Sequence, residues 1–329
     1  MPAAEVEVSA DLVRRLLADQ HPDLARLPVE FLANGWDNAV FRLGTEMAVR
    51  MPRRELGAAI IAHEQRWLPK LAPRLPLPVP YPERIGHSAL GYPYPWSVVP
   101  FLRGAPAADS PSLDPASDDL ASDDLAAMAV AVGGFLGALH VPAPEDAPAN
   151  PVRGVPLAER AAAFGANLTL LSADGGVLPE AVLPVWESAL AAPVYGGPPV
   201  WLHGDLHPAN ILVDDGRVSG VIDFGDITSG DPATDLAVAW MLLPLSLHGA
   251  FRAAYEDAGG AGGGAEGDAL WRRARGWALH FALVYLNHSA DNPQLFGVGR
   301  RTLGRVSEAR ATDRRSSSAP GCSPSSPAG

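Results

Sequence analysis

Residues 202–225 read LHGDLHPANILVDDGRVSGVIDFG, and the grouping of their polar positions decides the fold. His203, Asp205, His207 and Asn210 fall within eight positions, just before the apolar run Ile211-Leu212-Val213. One reading takes His203, Asp205 and His207 as H-x-D-x-H on a strand, where alternate side chains share a face and could serve a hydrolytic zinc ion. Pro208 argues against a continuing strand, and the remaining histidines are scattered without ligand spacing. The other reading uses the sequel: two apolar arms, Ile211–Val213 and Val218–Ile222, flank Asp214-Asp215-Gly216, which is the pattern of a β-hairpin. Pairing of Val213 near Val218 brings Asn210 and Asp223 together at the open end, with Asp205 in the loop just before it.

Three side chains able to handle protons and metals then converge. Phosphoryl transfer from a nucleoside triphosphate needs this set: a carboxylate to orient and deprotonate the attacking hydroxyl, and an Asn and an Asp to hold Mg²⁺ on the phosphates. The kinase signature places its catalytic Asp five residues before the Asn and follows them with D-F-G. Asp205, Asn210 and Asp223-Phe224-Gly225 have that order and spacing.

The rest of the chain bounds this reading. At 329 residues with 47% hydrophobic content it can bury a large core. No run of about 18 uncharged apolar residues suggests a membrane span, and the start MPAAEVEVSADLVRR is acidic where a secretory signal is basic, so a cytoplasmic protein is expected. Cys322, the single cysteine, excludes disulfides and cysteine-rich zinc sites. A net charge of −12 disfavours nucleic acid and anionic membrane as partners, suits solubility, and would attract a cationic ligand. Lys70 is the sole lysine, so a phosphate-binding cation is expected to be an arginine.

Along the chain, a helix near Asp11–Ala18 precedes FLANGWDNAVFRLGTEMAVRMP (31–52), read as a β-hairpin around Gly-Trp-Asp-Asn, and a helix over Leu56–Leu71. Pro76, Pro78, Pro80 and Pro82 impose an extended path, and YPWSVVPFLRG (94–104) reads as a buried strand. The boundary is drawn at residue 104. The linker that follows carries ASDDL twice in tandem, its second half capping a helix over Leu125–His140. GGAGGGAEG (259–267) reads as a flexible connector before a helix over Trp271–Asn287, and the Ser/Pro/Gly-rich tail over 309–329 as disordered.

HGDLHPANIL, VIDFGD and GDPATDLA, together with NGWDNAVFRLG and AVRMPRR, resemble the aminoglycoside phosphotransferase family of small-molecule kinases over roughly residues 30–305. The resemblance implies an α+β, bilobal, protein-kinase-like fold: an N-lobe antiparallel sheet plus helix over 1–104, and a larger, mostly helical C-lobe over 105–308. It implies ATP or GTP as donor, Mg²⁺ as cofactor, and no protein partner. Carried over residue by residue, Asp205 takes the catalytic position and Asn210 and Asp223 the Mg²⁺ positions, while the alternative for Asp205 is a turn aspartate bonding its own backbone. His203 reads as a brace of the loop. His207 reads equally as a phosphate or substrate contact and as a solvated loop residue.

One departure stands out. Where such kinases place a lysine on the third strand, AVRMP offers Arg50, with Glu64 as its helix partner or, alternatively, on a solvated face. Gly35 and Asn38 belong to the turn expected over the phosphates or, alternatively, to an ordinary hairpin turn, and Val99–Leu102, with Val99 and Phe101 as contacts, to the hinge that meets the base.

GDITSGDP (225–232) leaves no room for the peptide platform of a protein kinase, so a small hydroxylated acceptor is expected. Asp231 and Asp235 read as helix cap and helix-dipole partner or as amine ligands. Asp226 faces the cleft by position, as a contact for a cationic substrate or as a solvated acid. An aminoglycoside antibiotic suits the acidic chain; macrolides and choline- or homoserine-like metabolites remain alternatives, as does a silent nucleotide-binding pseudokinase.

Overall fold

The structure is a computed structural model that describes residues 3–109, 122–173, 175–261 and 264–317. The first ASDDL copy and the tail beyond Ser317 lie outside the described residues.

The N-terminal part is built on period-two burial. Helix α1 (Ala10–Gln20), capped by Ser9 accepting from the Leu12 N–H at 3.2 Å, buries Leu12, Val13, Leu16 and Leu17 against the sheet core. Strands β1 (Val29–Asn34), β2 (Asn38–Leu43), β3 (Met47–Pro52), β4 (Arg84–Gly86) and β5 (Trp96–Pro100) form an antiparallel sheet in the order β1-β2-β3-β5-β4. Along β2 the inward positions Ala39, Phe41 and Leu43 are buried and alternate with half-exposed ones, as a one-sided sheet requires. Between β3 and β4 runs α2 (Glu55–Leu71), whose buried face is Gly57, Ile61, Glu64, Leu68 and Leu71. That spacing of three and four residues puts a carboxylate in the middle of an apolar stripe, which is costly unless the charge is paired.

The proline tract leads the chain along β9 (Arg217–Val221), where the Val221 N–H donates to Pro78 O at 3.0 Å, and then into the N-terminal sheet. After β5 the chain crosses to β6 (Ala105–Pro106), which pairs with β8 (Ile211–Asp214); β8 pairs with β9. The β8–β9 hairpin has the register Val213↔Val218 expected from the sequence, and Asp215 and Gly216 both take positive φ, 46° and 74°, as a two-residue hairpin turn requires. Strand β6, just after the expected hinge, is thereby hydrogen-bonded to the strand that follows the loop His203–His207.

The C-terminal part is mostly helical: α3 (Ser122–Leu139), α4 (Ala161–Ala173), α5 (Pro179–Leu190), α6 (Ala233–Leu236), α7 (Val238–Leu242), α8 (His248–Asp257), α9 (Gly264–His288) and α10 (Pro293–Ser317), with the short strands β7 (Val200–Leu202) and β10 (Thr228–Gly230) paired antiparallel. Two findings differ from the sequence reading. Gly264–Gly267, expected as connector, open α9, where Glu266 complements the positive end of the helix. Residues 309–317 continue α10, because no proline or glycine interrupts the chain between Arg305 and Ser317.

Hydrophobic burial is divided in two. One cluster unites α1 and the sheet around Leu16, Phe41 and Trp96; the other fills the helical part around Phe135, Phe224 and Trp277. Trp67 and Leu68 of α2 belong to the second cluster, Trp67 lying 4.9 Å from the Trp201 ring, so α2 fastens the two parts together.

Asp231 and Arg273 lock the centre of the helical part. Arg273 on α9 donates Nε to Asp231 Oδ2 at 2.7 Å and Nη2 to Oδ1 at 3.2 Å, while Nη1 donates to Pro193 O at 2.7 Å. Asp231 Oδ1 also accepts from the Ala233 N–H at the head of α6. Both side chains are buried, so removing one partner strands the other charge. Asp231→Ala is expected to lower unfolding stability by about 3–5 kcal/mol, read as the shift in a urea transition.

Candidate active site

A cleft of about 1010 Å³ lies between the two lobes. The loop His203–His207 leaves β7, passes through a short turn at Pro208–Asn210 and enters β8, so both ends are held by strand pairing. Gly204 has φ +86°, and a Cβ there would stand 2.2 Å from the Asp226 carbonyl oxygen; no other residue fits where the loop meets the D-F-G segment.

The loop backbone is held from behind. Asp235 is fully buried and accepts from the His203 N–H at 2.7 Å and the Gly204 N–H at 2.9 Å. His140 Nε2 lies 3.3 Å from its Oδ2, and His140 Nδ1 lies 3.1 Å from the Tyr255 hydroxyl. The His203 ring is braced as well: Nδ1 accepts from the Asp205 N–H at 3.3 Å, which leaves Nε2 to donate to Ile222 O at 2.9 Å. With both ring nitrogens engaged inside the protein, His203 has no lone pair for zinc, and the H-x-D-x-H reading is corrected. Among the described residues no group of three or more His, Cys, Asp or Glu is placed to hold a metal.

Asp205 is partly exposed in the cleft. Its Oδ1 accepts from Arg153 Nη2 at 3.1 Å, and its Oδ2 lies 3.5 Å from His207 Nε2. Burial alone would raise its pKa, but the hydrogen bond and charge of His207, with Arg153 and His203, hold the carboxyl well below the usual carboxylate range. His207 Nδ1 accepts from the Ala209 N–H at 3.2 Å, so Nε2 carries the proton facing Asp205.

Asn210 and Asp223 meet as the hairpin requires, the Ile222 N–H donating to Asn210 O at 2.9 Å. Asn210 Nδ2 donates to Asp205 O at 3.0 Å, which leaves its Oδ1 as the free end. Asp223 takes a left-handed backbone, φ 64°, and among the described residues its carboxylate forms no hydrogen bond or ion pair. An amide oxygen and an unpaired carboxylate lining one cleft are hard ligands that fit a cation keeping part of its water shell.

On the N-lobe wall, Arg50 Nη1 donates to Glu64 Oε2 at 2.7 Å. Burial opposes the charge on Arg50, yet Glu64 and Asp223 outweigh it and hold the guanidinium above its ordinary pKa. Glu64 is 1% exposed, which corrects the solvated-face alternative. Gly35 and Asn38 line the cleft, but the Gly35 N–H closes the turn on Asn38 O at 2.7 Å, and Asn38 Oδ1 is buried without a partner. Val99 and Phe101 line it also; however, the Phe101 N–H donates to Glu46 O at 2.8 Å, so that amide is turned away from the cleft. Pro100 and Leu102 line the cleft beside them.

Asp226 lines the cleft as its position suggested, but its Oδ1 already accepts from Asn150 Nδ2 at 2.7 Å. Burial and then the charge of Asp205 raise its pKa. Asp231 and Asp235 are engaged internally through Arg273 and the loop amides, so the amine-ligand reading gives way to the structural one. Arg153 and Asn150 escaped the sequence reading. They lie on an irregular segment 50 residues or more before their partners, and NPVRGVP (150–156) carries no local pattern beyond its glycine.

A two-lobed cleft with Asp205, Asn210 and Asp223 at its floor and an Arg–Glu pair on its roof defines the protein-kinase-like class. The chain belongs to the phosphotransferase enzyme family, whose profile matches residues 28–277. No curated protein matches the chain in sequence. Among solved structures it is similar to the GDP complex of aminoglycoside 2'-phosphotransferase-IIIa, with TM-score 0.62 and 19% identity over 92% of this chain and 100% of that one. It is also similar to macrolide 2'-phosphotransferase MphH from Brachybacterium faecium, with TM-score 0.56 and 21% identity over 89% and 97%. The streptomycin-ATP-APH(2")-IIa ternary complex matches with TM-score 0.54 and 18% identity over 92% and 98%. Among the described residues no helix is long and apolar enough to cross a membrane.

Asp235→Asn places an NH₂ donor against a backbone N–H donor behind the loop. Stability is expected to fall by about 2–4 kcal/mol, measured by denaturant unfolding, from a buried donor left unsatisfied and the lost charged acceptor.

Proposed function

We propose that this chain transfers the γ-phosphoryl group of ATP or GTP to a hydroxyl of a small molecule, with Asp205 as the proton acceptor. The observation that carries the reading is the meeting of Asp205, Asn210 and Asp223 across the β8–β9 hairpin, opposite the Arg50–Glu64 pair. Asp205 orients the acceptor hydroxyl and takes its proton while that oxygen bonds to the γ-phosphorus. The bond to the β–γ bridging oxygen breaks, and the nucleoside diphosphate leaves.

Asn210 Oδ1 and Asp223 would hold Mg²⁺, which would neutralise charge on the transferred phosphate. Arg50, fixed by Glu64, anchors the donor phosphates from the roof with a planar fork in place of an ammonium. Asn38 and the Gly35 turn cover the phosphates, while Pro100 and Leu102 meet the base beside Val99. His207 donates to Asp205 and orients it, and Asp226 lies on the acceptor side. The similar structures carry aminoglycoside and macrolide phosphotransferase names, which makes those antibiotics the first acceptors to test, ahead of small metabolites.

Asp205→Asn is expected to lower the rate of acceptor-dependent nucleoside diphosphate release by about 10²- to 10⁴-fold, the usual worth of a general base. Mg·ADP binding by calorimetry should persist in that variant; normal turnover would remove the assignment.

The depressed pKa of Asp205 also fixes the sign of a pH effect. Its proton-accepting form exists above the pKa, which here is below the ordinary 3.8. The rate between pH 5 and 8 should therefore show no acidic limb from this carboxyl, and a limb that disappears in Asp205→Glu would contradict it.

Arg50→Lys is expected to keep far more activity than Arg50→Met. The methionine leaves Glu64 buried without a partner, at a cost of about 3–5 kcal/mol in unfolding stability.

A further inference from the structure

Residues 52–55, which join β3 to α2, are held from outside the sheet. The Glu5 and Val6 N–H groups both donate to Arg53 O, at 2.9 Å and 3.1 Å, and the Tyr92 hydroxyl donates to Pro52 O at 2.8 Å. Arg54 precedes α2 and gives the helix no side-chain cap. The cap comes instead from 50 residues away: Glu5 Oε2 accepts from the Glu55 N–H at 2.8 Å, and it also accepts from the Tyr94 hydroxyl at 2.9 Å. A carboxylate there satisfies a first-turn N–H and complements the positive end of the helix. Glu5 and Val6 thus form a strap across the start of the helix that carries Glu64.

The same residues hold the turn at 35–38. Strand β2 pairs with β3 only as far as Asn38 and Pro52, and beyond that register the turn is tied by Arg53 and Arg54. The Arg53 N–H donates to Asp37 O at 2.8 Å, and Arg54 Nη1 donates to Asp37 Oδ1 at 3.2 Å. Arg54 Nε lies 3.9 Å from Glu5 Oε1, so one guanidinium stands between the strap and the turn. Gly57, in the first turn of α2, permits the approach, because a Cβ there would stand 2.9 Å from Asp37 O. Trp36 and Asp37 line the cleft and Arg54 does not. Trp36 is 64% exposed, so burial does little to fix the turn, and the polar links carry that task. Left unpaired, the Asp37 carboxylate would share the cleft with the donor phosphates and repel them.

We propose that Arg54 is a positioning residue of the donor site: backed by the Glu5 strap, it holds the 35–38 turn on the cleft and so raises nucleotide affinity without touching the nucleotide. Its charge neutralises Asp37, and the neighbouring Arg53 N–H fixes the turn backbone against the start of α2. A turn ordered before the ligand arrives removes the ordering cost from binding. The strap thereby connects a segment far from the chemistry to both donor-side features, the turn and the helix of Glu64. This inference rests on the phosphotransferase reading above, in which the turn covers the donor phosphates.

The test uses the full chain labelled with fluorotryptophan, the Trp36 fluorine resonance being assigned by its loss in Trp36→Phe. Without ligand and well below the unfolding temperature, Arg54→Gln should shift or broaden that resonance, Arg54→Lys should do so less, and Glu5→Ala should do so in the same direction. Mg·ADP affinity by calorimetry should fall about three- to tenfold in Arg54→Gln, the order expected when binding must itself order a turn. Leu43→Val, a buried change at the opposite end of β2 from the turn, controls for a general loss of stability and should leave both readouts unchanged, with urea unfolding reporting the stability of each variant. An unmoved Trp36 resonance in Arg54→Gln or Glu5→Ala, unchanged Mg·ADP affinity in Arg54→Gln, or an equal effect of Leu43→Val overturns the proposal. Failure of the unsubstituted chain to bind Mg·ADP overturns the phosphotransferase reading instead, and the ligand-free Trp36 resonance still decides whether Arg54 holds the turn.

Discussion

A single buried carboxylate holds the loop His203–His207 in place. Asp235 has no exposure to water, and a buried carboxylate is costly unless its oxygens accept hydrogen bonds. Compensation comes from the His203 and Gly204 N–H groups and from His140, itself tied to Tyr255. These contacts join three separate parts of the helical lobe to the two residues that immediately precede Asp205. With the peptide groups of His203 and Gly204 fixed, the His203 ring can bridge the Asp205 N–H and the Ile222 carbonyl, one residue before Asp223. Asp205 and Asp223 are thus positioned by one chain of hydrogen bonds that begins at Asp235. The loop needs no helix or strand of its own, because its backbone groups are satisfied from behind.

The opposite wall solves a different problem with the same economy. Glu64 interrupts the buried stripe of α2, and Arg50 on β3 neutralises it at 2.7 Å. Because the pair is buried, each partner keeps the other from moving, and the free edge of the guanidinium is presented to the cleft. Arginine at this position is consistent with a chain whose only lysine, Lys70, packs over the Trp67 ring on the far part of α2. Its fork can hold a carboxylate and a phosphate at once, which a single ammonium does less rigidly.

How much of this was legible in the sequence follows from how local each constraint is. The β8–β9 hairpin could be read because Asp215-Gly216 takes the positive φ that its turn demands, and the alternation on both arms fixes the register at Val213 and Val218. That register, with the one-residue shift between Leu212 and Val213, sets Asn210 against Ile222 and so beside Asp223. Arg50 and Glu64 were legible through the family resemblance, which implies a cation on the third strand and an acid on the helix; that Glu64 is buried was not. Asp231 and Asp235 were visible but ambiguous: a helix start says nothing of whether Arg273, 42 residues on, or the amides of His203 and Gly204 will meet them. Phe101 lines the cleft, but its N–H is spent on Glu46 O, a partner that strand phase sets and its own stretch does not announce. The start of α9 and the end of α10 were missed because glycine and serine content was read as connector and tail, whereas the run after Arg305 holds no proline or glycine to stop a helix.

Arg153 marks the limit of such reading. Asn210 and Asp223 are brought together by one hairpin, whose register is written in its own residues. Arg153 and Asn150 instead meet partners 52 and 76 residues on, Asp205 and Asp226, so nothing in their own stretch announces the contact. The Gly154 N–H bond to Thr234 Oγ1 and the Asp231 N–H bond to Gly154 O tie their segment to the start of α6, which also carries Asp235. The element that holds the loop His203–His207 therefore also holds the side chain that touches Asp205.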